Sequence, residues 1–193
     1  MKKALLIIDL QNDFCPGGAL AVPEGDQIVP VLNKYIQEFQ RKGYPIFASR
    51  DWHPRETTHF KEHGGQWPVH CVQNTPGAQF HPALKLPPET IVVSKGMDPR
   101  EDSYSAFLAQ TEEGVCLKDL LKKEQITEIY VGGLATDYCV KFTVLDLLTQ
   151  GWQVKLLLDG IQAVNLQPDD GQKAIAEMQA KGAVGIRFEQ LEI

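Results

Sequence analysis

The stretch Ile129-Tyr-Val-Gly-Gly-Leu-Ala-Thr-Asp-Tyr-Cys-Val140 carries the change from strand to helix that decides the fold of this chain. It begins with β-branched and aromatic residues, a pattern that predicts the end of a buried strand, and two glycines then interrupt that strand. Thr136 or Asp137 is placed to cap the helix that the following apolar spacing predicts. Cys139 therefore falls in the first turn of a helix, just beyond the carboxyl end of a strand.

A cysteine in that position is a candidate nucleophile. The backbone N–H groups and the positive dipole of a helix N-terminus favour the thiolate of Cys139 over the thiol. The thiolate is the form that attacks a carbonyl carbon. A lone cysteine there is more often a small buried residue that packs a helix against a strand, so the choice depends on the rest of the chain.

Composition limits the classes to which the chain can belong. Its 193 residues are enough for one α/β domain, and 43% hydrophobic and 23% charged residues are ordinary for a globular protein. The formal net charge is -6 and there is no basic run, so nucleic acid is not expected as a partner. No apolar stretch approaches the roughly 18 residues of a membrane span, so no membrane partner is expected.

Two features predict a cytoplasmic protein. The apolar run at residues 4–8 follows two lysines, as in a signal peptide, but it is too short and Asp9 ends it. The four cysteines lie far apart without a Cys-x-x-Cys pair, so free thiols are expected rather than disulfides. Helix faces leave room for a homo-oligomer, although no exposed stripe identifies an interface.

Strands and helices alternate along the chain. Apolar runs of strand length occur at residues 4–8, 45–49, 90–94, 129–131, 153–158 and 183–186. Apolar residues at helical spacing occur at residues 28–39, 117–121, 140–148 and 168–178. This alternation predicts an α/β fold: a single domain over residues 1–193, with three α/β/α layers around a mostly parallel sheet of about six strands.

Polar groups follow four successive strands of that sheet. Asp9 follows the first strand, Asp51 and His53 follow the second, Lys95 the third and Cys139 the fourth. The carboxyl ends of parallel strands meet at one edge, where ligands bind. There Asp9 could accept the thiol proton of Cys139, and Lys95 would hold Asp9 ionised and favour the thiolate. Taken alone, Lys95 is equally well explained as a solvated residue at a strand end.

An irregular segment at about residues 51–88 predicts a metal- and substrate-binding loop. Its candidate ligands are Asp51, His53, His59, His63 and His70. Asp51 and His53 alternate by two on an extended segment, so their side chains point to the same side. Such oxygen and nitrogen ligands suit Zn, Fe or Mn. A lone histidine would more often be a surface residue, whereas this cluster favours a site for one divalent metal ion.

Six motifs together identify a known family. They are Asp9-Leu-Gln-Asn-Asp-Phe14, Asp51-Trp-His53, Trp67-Pro-Val-His-Cys71, Thr75-Pro-Gly-Ala78, Lys95-Gly96 and Gly133-Leu-Ala-Thr-Asp-Tyr-Cys139. In this order, over essentially the whole chain, they resemble the nicotinamidase (pyrazinamidase) family of isochorismatase-like cysteine hydrolases. The resemblance implies an isochorismatase-like fold and hydrolysis of nicotinamide, and of pyrazinamide, to the acid and ammonia, with a role in NAD salvage.

The resemblance also implies the catalytic residues. It makes Asp9, Lys95 and Cys139 a catalytic triad and the backbone N–H groups of Ala135 and Cys139 an oxyanion hole. The family pattern further implies a cis peptide bond between Leu134 and Ala135.

Metal and substrate residues follow from the same resemblance. Asp51, His53 and His70 match the metal ligands, with His59 preferred as a fourth ligand and His63 as the alternative. In the family the metal ion holds the pyridine nitrogen and orients the carboxamide. Phe14 and Trp67 match aromatic residues that sandwich the ring, and Tyr104 matches a further pocket position. Phe14 and Trp67 are also explained as ordinary core residues.

Other functions remain open from the sequence. A related amidohydrolase acting on a carbamoyl or ureido substrate would share the triad, but it gives no reason for Asp51, His53 and His70. A vinyl-ether hydrolase of the same superfamily would not need Cys139. A catalytically inactive homologue that binds metal or a partner is disfavoured by the complete triad. A thiol redox protein would need a second cysteine near Cys139.

Overall fold

A six-stranded, wholly parallel sheet runs through residues 2–193, which are the residues that the computed structural model describes. The strands are β1 (Lys2–Ile8), β2 (Ile46–Asp51), β3 (Ile91–Lys95), β4 (Ile126–Leu134), β5 (Gln153–Gln162) and β6 (Val184–Ile186). Their order across the sheet is β3-β2-β1-β4-β5-β6. The helices are α1 (Val29–Arg41), α2 (Leu117–Lys123), α3 (Lys141–Thr149) and α4 (Asp170–Ala180). The predicted α/β fold with a parallel sheet of about six strands is confirmed.

The central strand β1 shows why the fold has three layers. Side chains alternate across a strand, so Leu5 and Ile7 enter the core that α1 covers. Leu6 and Ile8 enter the opposite core, which is covered by α2, α3 and α4. All four side chains are fully buried. A strand that is apolar on both faces is stable only between two layers of helices, as the run at residues 4–8 predicted.

Helix α1 begins with a proline in its first turn and has no side-chain cap. Pro30 lies in the first turn, where its missing N–H costs no hydrogen bond. Asp26, which is acidic and precedes the helix, lies instead in a short 3-10 turn at Gly25–Ile28, and Ile28 occupies the cap position. The helix packs Leu32, Ile36 and neighbouring apolar side chains against the sheet.

The long segment between β2 and β3 is ordered by contacts with the sheet edge. The side chain of Gln11 donates to the carbonyl oxygens of Asp51 and Ala78, at 2.8 and 2.9 Å. The carboxylate of Asp13 accepts the backbone N–H of Cys71 at 2.7 Å. These bonds fix the segment above the carboxyl ends of the strands.

Within residues 2–193, no helix is both long enough and apolar enough to cross a membrane.

Candidate active site

The sheet order brings the predicted catalytic residues together. Strands β3, β2, β1 and β4 are neighbours, so the groups at their carboxyl ends lie side by side. Asp51 and Lys95 are direct partners in the β2–β3 register. Asp9 follows β1 with its backbone N–H bonded to the carbonyl of Ser49, at 3.1 Å. Cys139 reaches the same point from the turn that follows β4.

Lys95 is the centre of this cluster. Its ammonium nitrogen lies 2.8 Å from the carboxylate of Asp9 and 3.3 Å from the sulfur of Cys139, and it also donates to Asp51. All four side chains are buried. The hydroxyl of Ser49 donates to the other oxygen of Asp9 at 2.7 Å and fixes the orientation of that carboxylate. The role of Ser49 was missed from the sequence, because nothing local distinguishes it from an ordinary strand residue.

Burial and ion pairing oppose one another at Lys95 and its partners. Burial alone would lower the pKa of Lys95, but the carboxylates of Asp51 and Asp9 raise it well above its usual range. Burial alone would raise the pKa of Asp51, but Lys95, His53 and nearby His70 hold it below its usual range. The pKa of Asp9 is raised, because burial outweighs the opposing effect of Lys95. Lys95 therefore stays charged and Asp9 becomes a stronger base than a free aspartate.

The state of Cys139 differs from the sequence expectation. Burial raises the pKa of the Cys139 thiol well above its usual range, and Lys95 opposes this without reversing it. The helix position is also different: residues Thr136–Val140 form a π-helical turn before α3 begins at Lys141. The expectation of a resting thiolate is therefore wrong. Burial favours the thiol form of Cys139, whose sulfur lies within 4.8 Å of a carboxylate oxygen of Asp9.

The sequence pattern predicted Thr136 or Asp137 as the helix cap, but neither residue occupies a cap position, and Asp137 has a different role. Its two carboxylate oxygens accept the backbone N–H groups of Val164 and Asn165, at 2.9 and 2.8 Å. It therefore links the turn at Thr136–Val140, which carries Cys139, to the loop between β5 and α4.

The backbone at Ala135 has an unusual geometry. The carbonyl of Ala135 accepts the N–H groups of Tyr138 and Val140, both at 3.1 Å, and the peptide bond before Ala135 is cis. The implied cis bond is thus present.

Three buried histidines form a second cluster beside the triad. His53, His59 and His70 each offer a ring nitrogen, and these atoms lie within 4.8 Å of one another. The carboxylate of Asp51 faces the same space, at 3.5 Å from Nε2 of His53 and 3.8 Å from Nε2 of His70. His63 is exposed in a short 3-10 turn and does not belong to the cluster.

The ring orientations are those that metal-binding histidines adopt. Nδ1 of His53 lies 3.0 Å from the carbonyl of Gly96, and Nδ1 of His70 lies 2.7 Å from that of Pro68. Nδ1 of His59 contacts the carboxylate of Asp102. An Nδ1–H bonded in this way leaves Nε2 as the free electron-pair donor. Nε2 of His53 is buried without a hydrogen-bond partner, and a bound metal ion would give its lone pair a partner.

The histidine cluster therefore fits a divalent metal ion. Burial lowers the pKa of His70 to about 4, and it also lowers the pKa of His59. Both imidazoles are consequently neutral at neutral pH, which is the form that binds metal. Three nitrogens with one carboxylate oxygen suit Zn, Fe or Mn.

An apolar pocket opens above both clusters. It encloses about 430 Å3, counting its open mouth, and its lining includes Cys139, His59 and His70. The predicted aromatic residues are all present: Phe14, Trp67 and Tyr104 line it. Nε1 of Trp67 donates to the hydroxyl of Tyr104 at 2.9 Å, which fixes the two rings relative to each other. Pockets of this size with few polar groups bind small molecules.

Tyr138 is a pocket residue that sequence reasoning did not single out. Its ring lies edge-on to Trp67, with centroids 5.1 Å apart, and also contacts Tyr104. Its position next to Cys139 in the sequence was the available signal. The structure thus adds Tyr138 to the aromatic wall.

Comparison with known proteins places this site in a family. The family model described as the isochorismatase domain matches residues 3–190. The chain belongs to the isochorismatase family. Within the isochorismatase family, a nicotinamidase of Escherichia coli (strain K12) is 49% identical over 197 residues, covering 94% of this chain and 92% of the relative.

Solved structures of similar proteins agree with the fold. A pyrazinamidase of Pyrococcus horikoshii, determined in complex with zinc, superposes with a TM-score of 0.90 at 44% identity, covering 97% of this chain and all of that one. A protein of L. infantum, determined in complex with nicotinate, superposes with a TM-score of 0.87 at 35% identity, covering 99% and 95%. This isochorismatase-family chain is therefore similar to amidohydrolases along almost its entire length.

Proposed function

We propose that the chain is a nicotinamidase, which hydrolyses nicotinamide, and also pyrazinamide, to the corresponding acid and ammonia. The observation that carries the proposal is the contact of Lys95 with both Asp9 and Cys139 beside three buried histidines at the floor of an aromatic pocket. The relatives named nicotinamidase and pyrazinamidase support the same reaction. The supporting geometry combines a nucleophile, a base and a cluster suited to a metal ion within one small site.

The first half of the reaction forms a thioester. Asp9 accepts the proton of the Cys139 thiol, and the sulfur attacks the carboxamide carbon of the substrate. The raised pKa of Asp9 makes it a stronger acceptor of this proton than an unperturbed aspartate, and the neighbouring ammonium of Lys95 stabilises the thiolate that forms. We assign the backbone N–H groups of Ala135 and Cys139 to the oxygen of the tetrahedral intermediate.

Collapse of that intermediate releases ammonia. The C–N bond breaks, and Asp9 returns its proton to the departing nitrogen. Water then attacks the thioester carbon while Asp9 accepts a proton from it. The C–S bond breaks and Asp9 returns that proton to the sulfur, which gives the carboxylic acid and restores the Cys139 thiol and the Asp9 carboxylate. Lys95 remains charged throughout and stabilises the negative charge that moves between Asp9 and Cys139.

The neighbouring residues bind and orient the substrate. We assign Asp51, His53, His70 and His59 to one divalent metal ion, and zinc is the first candidate because a similar protein was determined with it. When bound, such an ion supplies a cationic partner for the pyridine nitrogen of nicotinamide. Phe14 and Trp67 enclose the ring, and the hydrogen bond between Trp67 and Tyr104 keeps that wall in place.

Two alternatives are less well supported. A hydrolase for carbamoyl or ureido substrates would use the triad, yet these substrates lack a ring for the aromatic walls and a ring nitrogen for the histidine cluster. A catalytically inactive binding protein would not need the buried ion pair of Lys95 and Asp9 against Cys139. We further propose a cytoplasmic location, since the four cysteines are free. A role in NAD salvage follows from the proposed hydrolysis of nicotinamide.

Ammonia release from nicotinamide tests the function directly. Reduced, zinc-loaded protein should release ammonia, whereas protein treated with a chelator and the Cys139→Ala variant should not. Release that is independent of Cys139 would overturn the nucleophile, and release that survives complete metal removal would overturn the metal assignment. If the loaded protein releases none, the substrate assignment is wrong and a ureido substrate should be tried next.

A further inference from the structure

The segment at residues 96–104, here called the strap, holds the histidine cluster from outside. The carbonyl of Pro99, in this strap, accepts the backbone N–H of Thr58 at 2.9 Å and its hydroxyl at 3.0 Å. The strap begins with Gly96, whose carbonyl lies against His53. It therefore anchors the loop that carries the histidines at separate points.

Asp102 lies within the strap and contacts His59. The carboxylate of Asp102 faces Nδ1 of the His59 ring, although the two residues are 43 positions apart. The side chain of His59 is 5% exposed, whereas that of Asp102 is 54% exposed. A buried imidazole thus has its outer nitrogen held by a carboxylate at the protein surface.

His59 differs in this respect from the two other histidines. His53 and His70 have backbone carbonyls, those of Gly96 and Pro68, as their Nδ1 partners. These partners are fixed by the fold and cannot be removed by changing a side chain. Of the three Nδ1 partners, only that of His59 is a side chain, so it can be removed by a substitution that leaves the backbone in place.

We propose that Asp102 is a positioning residue for the metal site, which orients His59 by accepting its Nδ1–H and so directs Nε2 into the cluster. This inference rests on the proposed metal-dependent function. A carboxylate bound to the outer nitrogen of a metal-binding histidine fixes the tautomer and makes the ligating nitrogen more basic. Asp102 therefore strengthens metal binding without contacting the metal ion itself.

The contact is more than an exposed ion pair. Exposed salt bridges contribute little, because water and side-chain entropy offset the attraction. The side chain of His59 is only 5% exposed, so water has little access to the ring nitrogen that contacts Asp102. Removing the contact would let the ring rotate or change tautomer, which weakens metal binding while the anchors at Pro99 keep the loop folded.

Zinc affinity of the purified full chain tests the inference. Competition with a chelator of known affinity should show Asp102→Ala binding Zn2+ about 10- to 100-fold more weakly than the parent protein. Asp102→Asn should lie between the two, since an amide oxygen still accepts a hydrogen bond but carries no charge. Glu101→Gln, the exposed neighbour in the same strap, is the matched control and should bind Zn2+ like the parent.

Two further measurements separate this role from a structural one. The metal-free forms of the parent and of Asp102→Asn should unfold at the same temperature, and ammonia release by Asp102→Ala should recover at higher Zn2+ concentration. A Zn2+ affinity of Asp102→Ala and Asp102→Asn within about twofold of the parent would overturn the role of Asp102 alone. A parent protein that binds no Zn2+ but hydrolyses nicotinamide would overturn the metal assignment together with this inference.

Discussion

The ammonium group of Lys95 lies 3.3 Å from the sulfur of Cys139, and both side chains are buried. The same nitrogen contacts Asp9 and one carboxylate oxygen of Asp51, whose other oxygen faces the histidines. One cation therefore links the nucleophile, its base and the histidine cluster. A change at Lys95 should affect catalysis, metal binding and stability together.

Replacing Lys95 should destabilise the fold. Lys95→Met leaves Asp9 and Asp51 buried without their cation, which should lower the free energy of unfolding by about 3–5 kcal/mol at neutral pH. Urea denaturation measures this difference. Lys2→Met, which removes an exposed pair with Glu124, is the control and should change stability by less than about 1 kcal/mol. A similar small effect for both variants would contradict the central role of Lys95.

Cys139→Ala should abolish hydrolysis while keeping ligand binding. The rate of ammonia release should fall at least about 1000-fold, because no thioester can form. Nicotinate binding, measured by calorimetry, should persist because the aromatic wall and the histidine cluster are intact. Cys116→Ala removes another free cysteine that does not line the pocket, and it should leave the rate unchanged. Turnover retained by Cys139→Ala would exclude Cys139 as the nucleophile.

Removing a central histidine should reduce metal and substrate affinity together. His53→Ala deletes a buried Nε2 that has no hydrogen-bond partner among the described residues, so the variant should lose bound metal and bind nicotinamide more weakly. Metal content by mass spectrometry and the KM for nicotinamide are the two measurements. His63→Ala, at an exposed position outside the cluster, should match the parent in both. Unchanged metal content in His53→Ala would refute the proposed metal site.

A side chain at Gly96 should disturb the histidine cluster, because it would collide with the ring of His53. Gly96 has a φ of +68°, and a Cβ atom there would lie 2.6 Å from Nδ1 of His53. Gly96→Ala should therefore displace the ring and weaken Zn2+ binding at least about tenfold. Gly114 also has positive φ, +81°, but a Cβ atom there meets nothing within 4 Å.

Gly114→Ala is therefore the matched control for backbone strain. It should lower the free energy of unfolding by about 1 kcal/mol without changing Zn2+ affinity. Equal losses of Zn2+ affinity in the two alanine variants would show that backbone strain, and not contact with His53, is responsible.

Alkaline pH should destabilise the fold partly through Cys15. Burial, with nearby Asp26, raises the pKa of Cys15 from 9.0 to about 11. The unfolded chain therefore loses this proton first as the pH rises. The contribution of the protonated Cys15 thiol to the free energy of unfolding is complete below about pH 9. It is lost between about pH 9 and 11, at up to about 1.4 kcal/mol per pH unit. Urea denaturation of Cys15→Ala should show a shallower loss over that range, and an unchanged slope would contradict this.

The sequence by itself determined the fold and the composition of the site. Alternating strands and helices imply a parallel sheet, and a parallel sheet places all strand ends at one edge. The residue pattern predicts a parallel topology, and that topology brings together the four strand-end residues Asp9, Asp51, Lys95 and Cys139. The aromatic residues and histidines of the long segment followed from their motifs.

Only the tertiary structure decided the state of these groups and their supports. The raised pKa of the Cys139 thiol results from burial, which outweighs the helix N-terminus and Lys95 that the sequence displays. The contacts of Ser49 with Asp9 and of Asp102 with His59 join residues about 40 positions apart. No local pattern encodes such contacts, because distance, burial and ring orientation arise only when separate segments pack together.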